Sequence, residues 1–269
     1  MDKIVDIREF LKDQEIVIYG AGHVANKFYN SLQRLDLNKN VKCFVVSNKR
    51  EDQDEFNGHK IISVDELQKG EACICIAVHE VLKGEIEILL ERKGIHNHIW
   101  IHPYLPELRF GVPLKAGALA PVSQIVHACK DYRLAIRQLT IENYFRLNEN
   151  GDDIYIKAQQ IWCDRDTAKK RLIKFKELIG SFNDGGYNPN ADPKEPIMID
   201  TDYRIMEGAH RISCARYFGI ESVVCNIYDR VEDYDGWMGN CTINESVIHG
   251  GYFLPEEIEI IEDAYLRIQ

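Results

Sequence analysis

Residues 196–228 read PIMIDTDYRIMEGAHRISCARYFGIESVVCNIY, and they combine the clearest strand, turn and helix signals in the chain. A short apolar run ends in polar residues from Asp200 onward, which is typical of a buried strand that meets a turn. After Gly208 the apolar residues recur at helical spacing up to Gly219, a residue type that commonly follows the last turn of a helix. The stretch therefore predicts one helix among three strands, which are Ile197–Ile199, Tyr203–Met206 and Val223–Tyr228.

Charged and ring-bearing side chains surround Gly208, the point at which a predicted strand becomes a helix. They are Glu207, His210 and Arg211. The first backbone N–H groups of a helix lack intrahelical partners, and the helix dipole favours negative charge near them. The segment Glu207–Arg211, which we name the Gly208 turn, is therefore a predicted anion site.

The same region resembles the ParB/sulfiredoxin superfamily over about residues 140–230. The resemblance rests on a Gly-Tyr-Asn-Pro run at 186–189, the Pro196–Asp200 segment, an acidic-Gly-x-His-Arg box at the Gly208 turn, and a closing strand after Gly219. It implies an α+β fold that binds the phosphates of a nucleoside triphosphate at the box. The residues that it puts beside the nucleotide are Gly208, Ala209, Asp200 and Asp202.

Four uses of this fold differ at the box. Sulfiredoxins require a cysteine directly before His-Arg, and here that position is Ala209, while Cys214 lies further along the predicted helix. ParB proteins that partition chromosomes use Gly-Glu-Arg-Arg followed by a helix-turn-helix, whereas about forty residues follow Tyr228 here and they are acidic. Nuclease-like members stay an alternative on fold grounds. The free serine kinase branch is the most similar, although Glu207 stands where an aspartate is usual.

Phosphoryl transfer requires cations and N–H donors on the phosphates, a magnesium ion, and a carboxylate that orients or deprotonates the acceptor hydroxyl. We expect Arg211 and His210 to contact the phosphates, and Glu207 to act as the base or to orient Mg²⁺. Asp200 and Asp202 are reserve carboxylates. The alternatives are that both aspartates only satisfy a turn, that Glu207 pairs with Arg211, and that His210 is a buried, hydrogen-bonded ring.

The N-terminal third carries a second strand–glycine–helix pattern. Ile16–Tyr19 is a continuous apolar run, typical of a parallel strand covered on both faces, and it leads into GAGHVA at 20–25. This spacing resembles the small Rossmann-like domains of bacterial surface-polysaccharide proteins. The acidic residue that binds the ribose of NAD is missing, because SNKR follows the strand predicted over Val41–Val46. Gly20 and Gly22 either hold a phosphate-bearing ligand or only allow close packing.

The other segments complete a two-domain interpretation. Pro103–Pro121 is punctuated by proline and glycine and is interpreted as the linker. Gln124–Leu147 has helical spacing and is expected to pack between the domains, and Ile154–Ile156 is interpreted as a short strand. Lys169–Arg171 is interpreted as a solvated helix face, with phosphate contact as the alternative. Helices are predicted over Val81–Lys93, Ala168–Phe182 and Pro255–Ile268, and strands over Ala72–Val78 and His98–Ile101.

Composition limits the classes of partner. A formal net charge of −10 over 269 residues argues against a nucleic-acid backbone as the main partner. No apolar run approaches the roughly 20 residues of a membrane span, so membrane insertion is not expected. Eight cysteines without a secretory signal favour free thiols in the cytoplasm.

The predicted fold class is α/β. It comprises a Rossmann-like parallel-sheet domain over 1–105, a linker and connecting helix over 106–147, and a ParB/sulfiredoxin-like α+β domain with a C-terminal helix over 148–269. The predicted function is an ATP- or CTP-dependent kinase, with Mg²⁺, that acts on a hydroxyl of a small metabolite such as a sugar or polyol precursor of a surface polysaccharide. A non-catalytic nucleotide-binding regulator or scaffold is the alternative, and a homodimer is compatible with either.

Overall fold

The computed structural model describes residues 6–49, 53–68, 70, 72–185, 196–232, 234 and 242–269. The chain forms two compact units, Met1–Gly111 and Val112–Gln269. The first unit is built on a mainly parallel sheet, and the second contains a smaller mixed sheet covered by helices. The architecture is therefore mixed α/β, as predicted.

The sheet of the first unit has six strands. They are β1 (Ile16–Tyr19), β2 (Val41–Val46), β3 (Glu55–Phe56), β4 (His59–Ser63), β5 (Cys73–Ile76) and β6 (His98–Trp100). Their order is β3-β4-β2-β1-β5-β6, and all neighbours are parallel except the short β3–β4 hairpin. The central strands β1 and β5 are buried at every position, which confirms the prediction of a strand covered on both faces.

In its described residues the first unit has four α-helices, of which the second and third connect strands of the sheet. They are α1 (Ile7–Lys12), α2 (His23–Arg34), α3 (Glu80–Arg92) and α4 (Leu105–Phe110). The chain leaves β1 toward β2 on one side and leaves β5 toward β6 on the other. Because these two connections diverge between adjacent parallel strands, they open a crevice at the carboxyl ends of β1 and β5. Gly20 and Gly22 lie at this edge, directly after β1.

The second unit has a four-stranded sheet of order β7-β10-β8-β9. Here β7 is Lys115–Pro121, β8 is Ile197–Asp200, β9 is Ile205–Glu207 and β10 is Ser222–Tyr228. Strand β10 is parallel to β8 and antiparallel to β7, and β8 is antiparallel to β9. The three strands predicted between residues 196 and 228 are confirmed, and the helix among them, α9, covers Ala209–Tyr217.

Helices form most of the second unit. Besides α9 they are α5 (Val122–Ala128), α6 (Arg133–Tyr144), α7 (Gly151–Gln159), α8 (Arg165–Gly185), α10 (Glu245–Val247) and α11 (Pro255–Ile268). Their apolar faces share one core, which includes Ile136, Tyr155 and Ile212. Helix α6 is buried over Arg133–Glu142, so it is a central element of this unit.

One sequence interpretation is wrong. Ile154–Ile156 is part of α7 rather than a strand, because an apolar run of three residues fits a buried helical face equally well. A Cβ at Gly151 would lie 2.0 Å from the carbonyl oxygen of Leu139, so only glycine allows this approach of α7 to α6. The segment Pro103–Pro121, predicted as a linker, includes the boundary between the two units after Gly111, and it also contains α4 and the edge strand β7. Prolines at a helix start and on an edge strand resemble loop signals.

Candidate functional site

The Gly208 turn joins strand β9 to helix α9. Glu207 ends β9, and Gly208 adopts a left-handed conformation with φ of 99° and ψ of 17°. A Cβ at this position would lie 3.1 to 3.3 Å from atoms of Ile197 on β8. Glycine is therefore required for two reasons, the positive φ and the close packing of the turn on the sheet. This packing holds the start of α9 at a defined position.

The first turn of α9 presents backbone donors together with cationic residue types. The N-cap residue Gly208 provides no side-chain hydrogen bond, and the first backbone bond of the helix runs from Ile212 N to Gly208 O. His210 and Arg211 lie in this turn. The exposed Glu207 directs Oε1 to the N–H of Gly208 at 3.1 Å. The turn therefore brings together the residues predicted to bind phosphate and the predicted base.

His210 is oriented by neighbours from two other helices. Its Nε2 lies 2.8 Å from the hydroxyl of Tyr155 on α7, and its ring packs edge-on against Phe175 of α8 with centroids 4.6 Å apart. Tyr155 is fully buried. The ring is thus hydrogen-bonded and half-buried, which fits the alternative of a structural histidine and equally fits a ligand-contacting residue held in one orientation.

Arg211 makes a longer contact with the start of strand β8. One Nη donates to the carbonyl oxygen of Pro196 at 3.4 Å, a distance at the weak end of the hydrogen-bond range. The side chain is half-buried. Its guanidinium thus lies against the chain that leads into β8.

Asp200 is committed to the turn that follows β8. The residue is fully buried, and its Oδ1 accepts from the backbone N–H groups of Asp202 and Arg204, both at 3.0 Å. Its Oδ2 accepts from the guanidinium of Arg204 and, at 3.4 Å, from the N–H of Val231. Asp202 is half-exposed and pairs with Arg230 at 3.1 Å. The geometry of Asp200 fits the turn alternative better than a role in binding nucleotide.

A buried group of charged and polar side chains lies at the start of α6, and the sequence analysis did not single it out. Arg133 Nε contacts both carboxylate oxygens of Asp131 at 2.8 Å, and its Nη donates to the hydroxyl of Tyr234 at 3.1 Å. One turn later, Arg137 donates through Nη to the carbonyl oxygen of Arg133 at 2.8 Å. Arg133 and Arg137 are 3% and 6% exposed, so α6 carries two buried cations.

Arg171 belongs to the same region, on α8. A solvated face was predicted for this residue, but its side chain is half-buried, and its Nε is buried with no hydrogen-bond partner among the described residues. Burial raises the pKa of Tyr155, and the charges of Arg171 and Arg137 oppose that rise. Both arginines therefore act on the hydroxyl that contacts His210.

The glycines of the first unit differ from Gly208 in their surroundings. Gly20 has φ of 118°, and a Cβ there would lie 2.8 Å from the carbonyl oxygen of Ala77, which follows β5. Gly20 therefore has a packing role. Gly22 is the N-cap of α2 with a φ of −112°, and a Cβ there would meet no atom within 4 Å. Gly22 thus faces open space at the crevice edge.

The thiol of Cys214, on α9, is fully buried. Burial raises the pKa of Cys214 to about 12, so its thiol stays protonated near neutral pH and is a poor nucleophile.

In the part of the chain that the structure describes, no group of three or more His, Cys, Asp or Glu side chains could hold a metal ion. Within the same residues, no helix has the length and apolar character needed to cross a membrane.

Residues 12–99 match a family model described as C2185-like, N-terminal. The match covers about one third of the chain and lies within the first unit. Searches among curated proteins and among solved structures found no match. The Gly208 turn and the buried arginines lie outside the matched segment.

Proposed function

We propose that the second unit is a nucleoside triphosphate-dependent kinase that binds the phosphates of ATP or CTP at the Gly208 turn. The observation that carries the proposal is the helix start at Gly208, where α9 has no capping side chain from its N-cap residue and has His210 and Arg211 in its first turn. Backbone N–H groups and fixed cations in this arrangement attract phosphate oxygens. The proposal also rests on the resemblance of this region to the ParB/sulfiredoxin superfamily.

The chemistry follows from the positions of three side chains. Arg211 and His210 hold the phosphates, and Glu207 accepts the proton of the acceptor hydroxyl. The acceptor oxygen forms a bond to the terminal phosphorus, while the bond from that phosphorus to the oxygen of the leaving nucleoside diphosphate breaks. The products are the phosphorylated acceptor, the nucleoside diphosphate and one proton. The acceptor in this proposal is a small metabolite with a hydroxyl group.

Mg²⁺ fits this proposal through Glu207. Magnesium at nucleotide sites commonly uses one or two carboxylates together with substrate phosphates and water, so a dedicated cluster of ligands is unnecessary. Glu207 is exposed at the turn and can serve as such a carboxylate. When bound, Mg²⁺ neutralises phosphate charge. The residues of the turn orient the phosphates, and Tyr155 holds the ring of His210 in place.

A second candidate is a nucleotide-binding regulator or scaffold without catalysis. It is favoured by the bond from Gly208 N–H to Glu207 Oε1, because a carboxylate at this N–H occupies the region where a phosphate would bind. In that case Glu207 stabilises the turn and is displaced by the nucleotide. The two candidates share the phosphate site and differ in whether Glu207 acts on an acceptor.

The first unit is assigned, within the same proposal, to Rossmann-like domains. The supporting observations are the parallel order of β4-β2-β1-β5-β6, the divergent connections from β1 and β5, and the glycine turn after β1. The suggestion that the acceptor is a sugar or polyol precursor of a surface polysaccharide rests on the resemblance of this unit to domains of such proteins.

The test is release of nucleoside diphosphate by the full-length protein with ATP or CTP, Mg²⁺ and a panel of hydroxylated metabolites. We expect release that depends on one acceptor and is lost with Arg211→Ala. Nucleotide binding without release for any acceptor, together with a change in the protein's assembly or partner binding, would favour the regulator. Absence of nucleotide binding to the folded protein would contradict both candidates.

A further inference from the structure

Two arginines in the second unit have buried donor atoms without an acceptor among the described residues. Arg137 on α6 is 6% exposed, and Arg171 on α8 is half-buried. The Nε atom of each is buried and has no hydrogen-bond partner in the part of the chain that the structure describes. Buried polar groups in folded proteins are almost always paired, so two unsatisfied guanidinium donors in one region point to a missing acceptor.

The charge of Arg137 is also poorly balanced. Burial lowers its pKa, and the positive charges of Arg133 and Arg171 lower it further, while Tyr155 and Asp131 act in the opposite direction. Both oxygens of Asp131 already accept from Arg133. This carboxylate is therefore used by the other arginine of the same helix. A buried cation without its own counter-ion is costly for a folded protein.

Tyr155 connects this pair to the Gly208 turn. The charges of Arg137 and Arg171 both act on its hydroxyl, and that hydroxyl lies 2.8 Å from Nε2 of His210 in the first turn of α9. The pair therefore acts, through Tyr155, on His210, the side chain that we propose to contact the nucleotide. Guanidinium groups bind planar carboxylates and tetrahedral phosphates through paired N–H donors, so their preferred ligand is an oxyanion.

We infer that Arg137 and Arg171 form a buried oxyanion subsite next to the Gly208 turn. The ligand is one phosphate or carboxylate group, supplied either by the end of the nucleotide or by the hydroxyl acceptor. In the second case the acceptor is an acidic or already phosphorylated hydroxyl compound. The link to phosphoryl transfer rests on the proposed function, whereas the binding of an oxyanion by the two arginines can be tested without it.

The test uses inorganic phosphate as the probe, at constant ionic strength with chloride as the reference anion. Binding is measured by calorimetry and by the phosphate-dependent rise in Tm for the full-length protein. We expect Arg137→Met to weaken phosphate binding at least about tenfold. The unliganded variant should melt no lower than the wild type, because a hydrophobic side chain replaces a buried charge that lacks a counter-ion.

Arg133→Met is the matched control on the same helix. It removes a cation that has a counter-ion and leaves Asp131 buried and unpaired, so it should lower the Tm of the unliganded protein. If Tm falls in Arg133→Met and does not fall in Arg137→Met, Arg133 is a structural arginine and Arg137 is a ligand-binding one. Arg171→Met, at a half-buried position, should also weaken phosphate binding at least about tenfold and serves as the second variant if Arg137→Met does not fold.

Further measurements identify the source of the oxyanion and separate failure of the subsite from failure of the kinase proposal. Phosphate binding that persists with a saturating non-hydrolysable ATP analogue assigns the subsite to the acceptor, and competition assigns it to the nucleotide. Binding lost in Arg211→Ala but unchanged in both arginine-pair variants would overturn the inference, as would absence of any phosphate-specific binding. If nucleotide does not bind but phosphate binds through Arg137, the kinase proposal fails and the subsite stands.

Discussion

The two units each contain a glycine of positive φ between a strand and a helix, yet the two turns are equipped differently. Gly20 is packed against the backbone of Ala77, and Gly208 is packed against Ile197. The helix after Gly20 begins with His23, Val24 and Ala25, whereas the helix after Gly208 begins with Ala209, His210 and Arg211. Close packing explains the glycine in both places. A glycine at a strand-to-helix turn is therefore weak evidence for a ligand. The charged residues around the glycine are what distinguish a candidate binding turn from a packing turn.

The interiors of the two units also differ in the number of buried polar and charged side chains. Among the residues that the structure describes, Ser31 is the one buried polar side chain of the first unit, and the others lie in the second. They include Asp131, Arg133, Arg137 and Asp200. Buried charges must be compensated, so they are kept where they build structure or serve a ligand. This comparison directs the experiments to the second unit.

The largest expected effect is on stability, at the buried pair of Asp131 and Arg133. Asp131→Ala leaves Arg133 buried without a counter-ion and should lower the free energy of unfolding by about 3–5 kcal/mol. The matched change in the first unit is Asp65→Ala, which breaks the exposed pair with Lys93 and should cost about 0–1 kcal/mol. Urea denaturation of both variants checks this, and equal losses would contradict the contrast between the units.

The next effect is on catalysis, at Glu207. Glu207→Gln keeps the shape of the side chain and removes its charge, so turnover should fall roughly 100-fold or more if the carboxylate accepts the proton of the acceptor. Nucleotide affinity should change less than about tenfold, because the carboxylate mainly stabilises the transition state. Turnover, nucleotide affinity and Tm are measured on one preparation. Unchanged turnover refutes the assignment of Glu207 as the base.

If Glu207 only stabilises the turn, the same variant behaves differently. The bond from Gly208 N–H to the carboxylate would be weakened, so Tm should fall. Nucleotide affinity should not fall, because the nucleotide displaces the carboxylate from this N–H. The pattern of the three measurements thus separates the kinase from the non-catalytic regulator.

A smaller effect is expected on nucleotide binding, at Arg211. Arg211→Ala removes a charge-assisted hydrogen bond to phosphate and should weaken nucleotide binding by about 1.5–3 kcal/mol. The hydrogen bond that its guanidinium donates to the carbonyl oxygen of Pro196 is long at 3.4 Å, so the loss of that bond should contribute little to any change in Tm. Calorimetry on the folded variant provides the measurement. Unchanged affinity would show that the phosphates bind elsewhere.

Sequence patterns predicted those elements whose signals are local. Val41–Val46 and Pro255–Ile268 agree with the observed β2 and α11, because an apolar run and an N-terminal proline mark their ends. Strand β7 was missed because it is mostly exposed at a sheet edge and contains Gly117, so it lacks an alternating apolar face. Ile154–Ile156 was misassigned because three apolar residues have no resolvable period.

The residues of the candidate site differ in the same respect, because only some of them have a local sequence signal. Glu207, His210 and Arg211 could be recognised because they are neighbours in the sequence around one glycine. Arg137 and Arg171 could not, because they come from α6 and α8 and their charges act on Tyr155 of α7 only in the folded unit. The helical spacing of α6 predicts a buried apolar face, and it gives no signal for a buried arginine on that helix. Tertiary structure was required to see the second half of the site.

The smallest expected effect on stability is at Gly22, and it tests whether the first unit binds a ligand at all. Gly22 has a negative φ and open space where a Cβ would lie, so Gly22→Ala should change the free energy of unfolding by about 0.5 kcal/mol or less. Gly208→Ala is the matched control, since positive φ and the contact with Ile197 should make it cost about 1–3 kcal/mol. If GAGHVA cradles a phosphate-bearing ligand, the added methyl group obstructs the approach of that ligand to the backbone. Nucleotide and sugar-nucleotide binding to Gly22→Ala is measured together with Tm, which should be unchanged. Weakened binding identifies Gly22 as a binding glycine. Full affinity in the variant assigns the turn to packing.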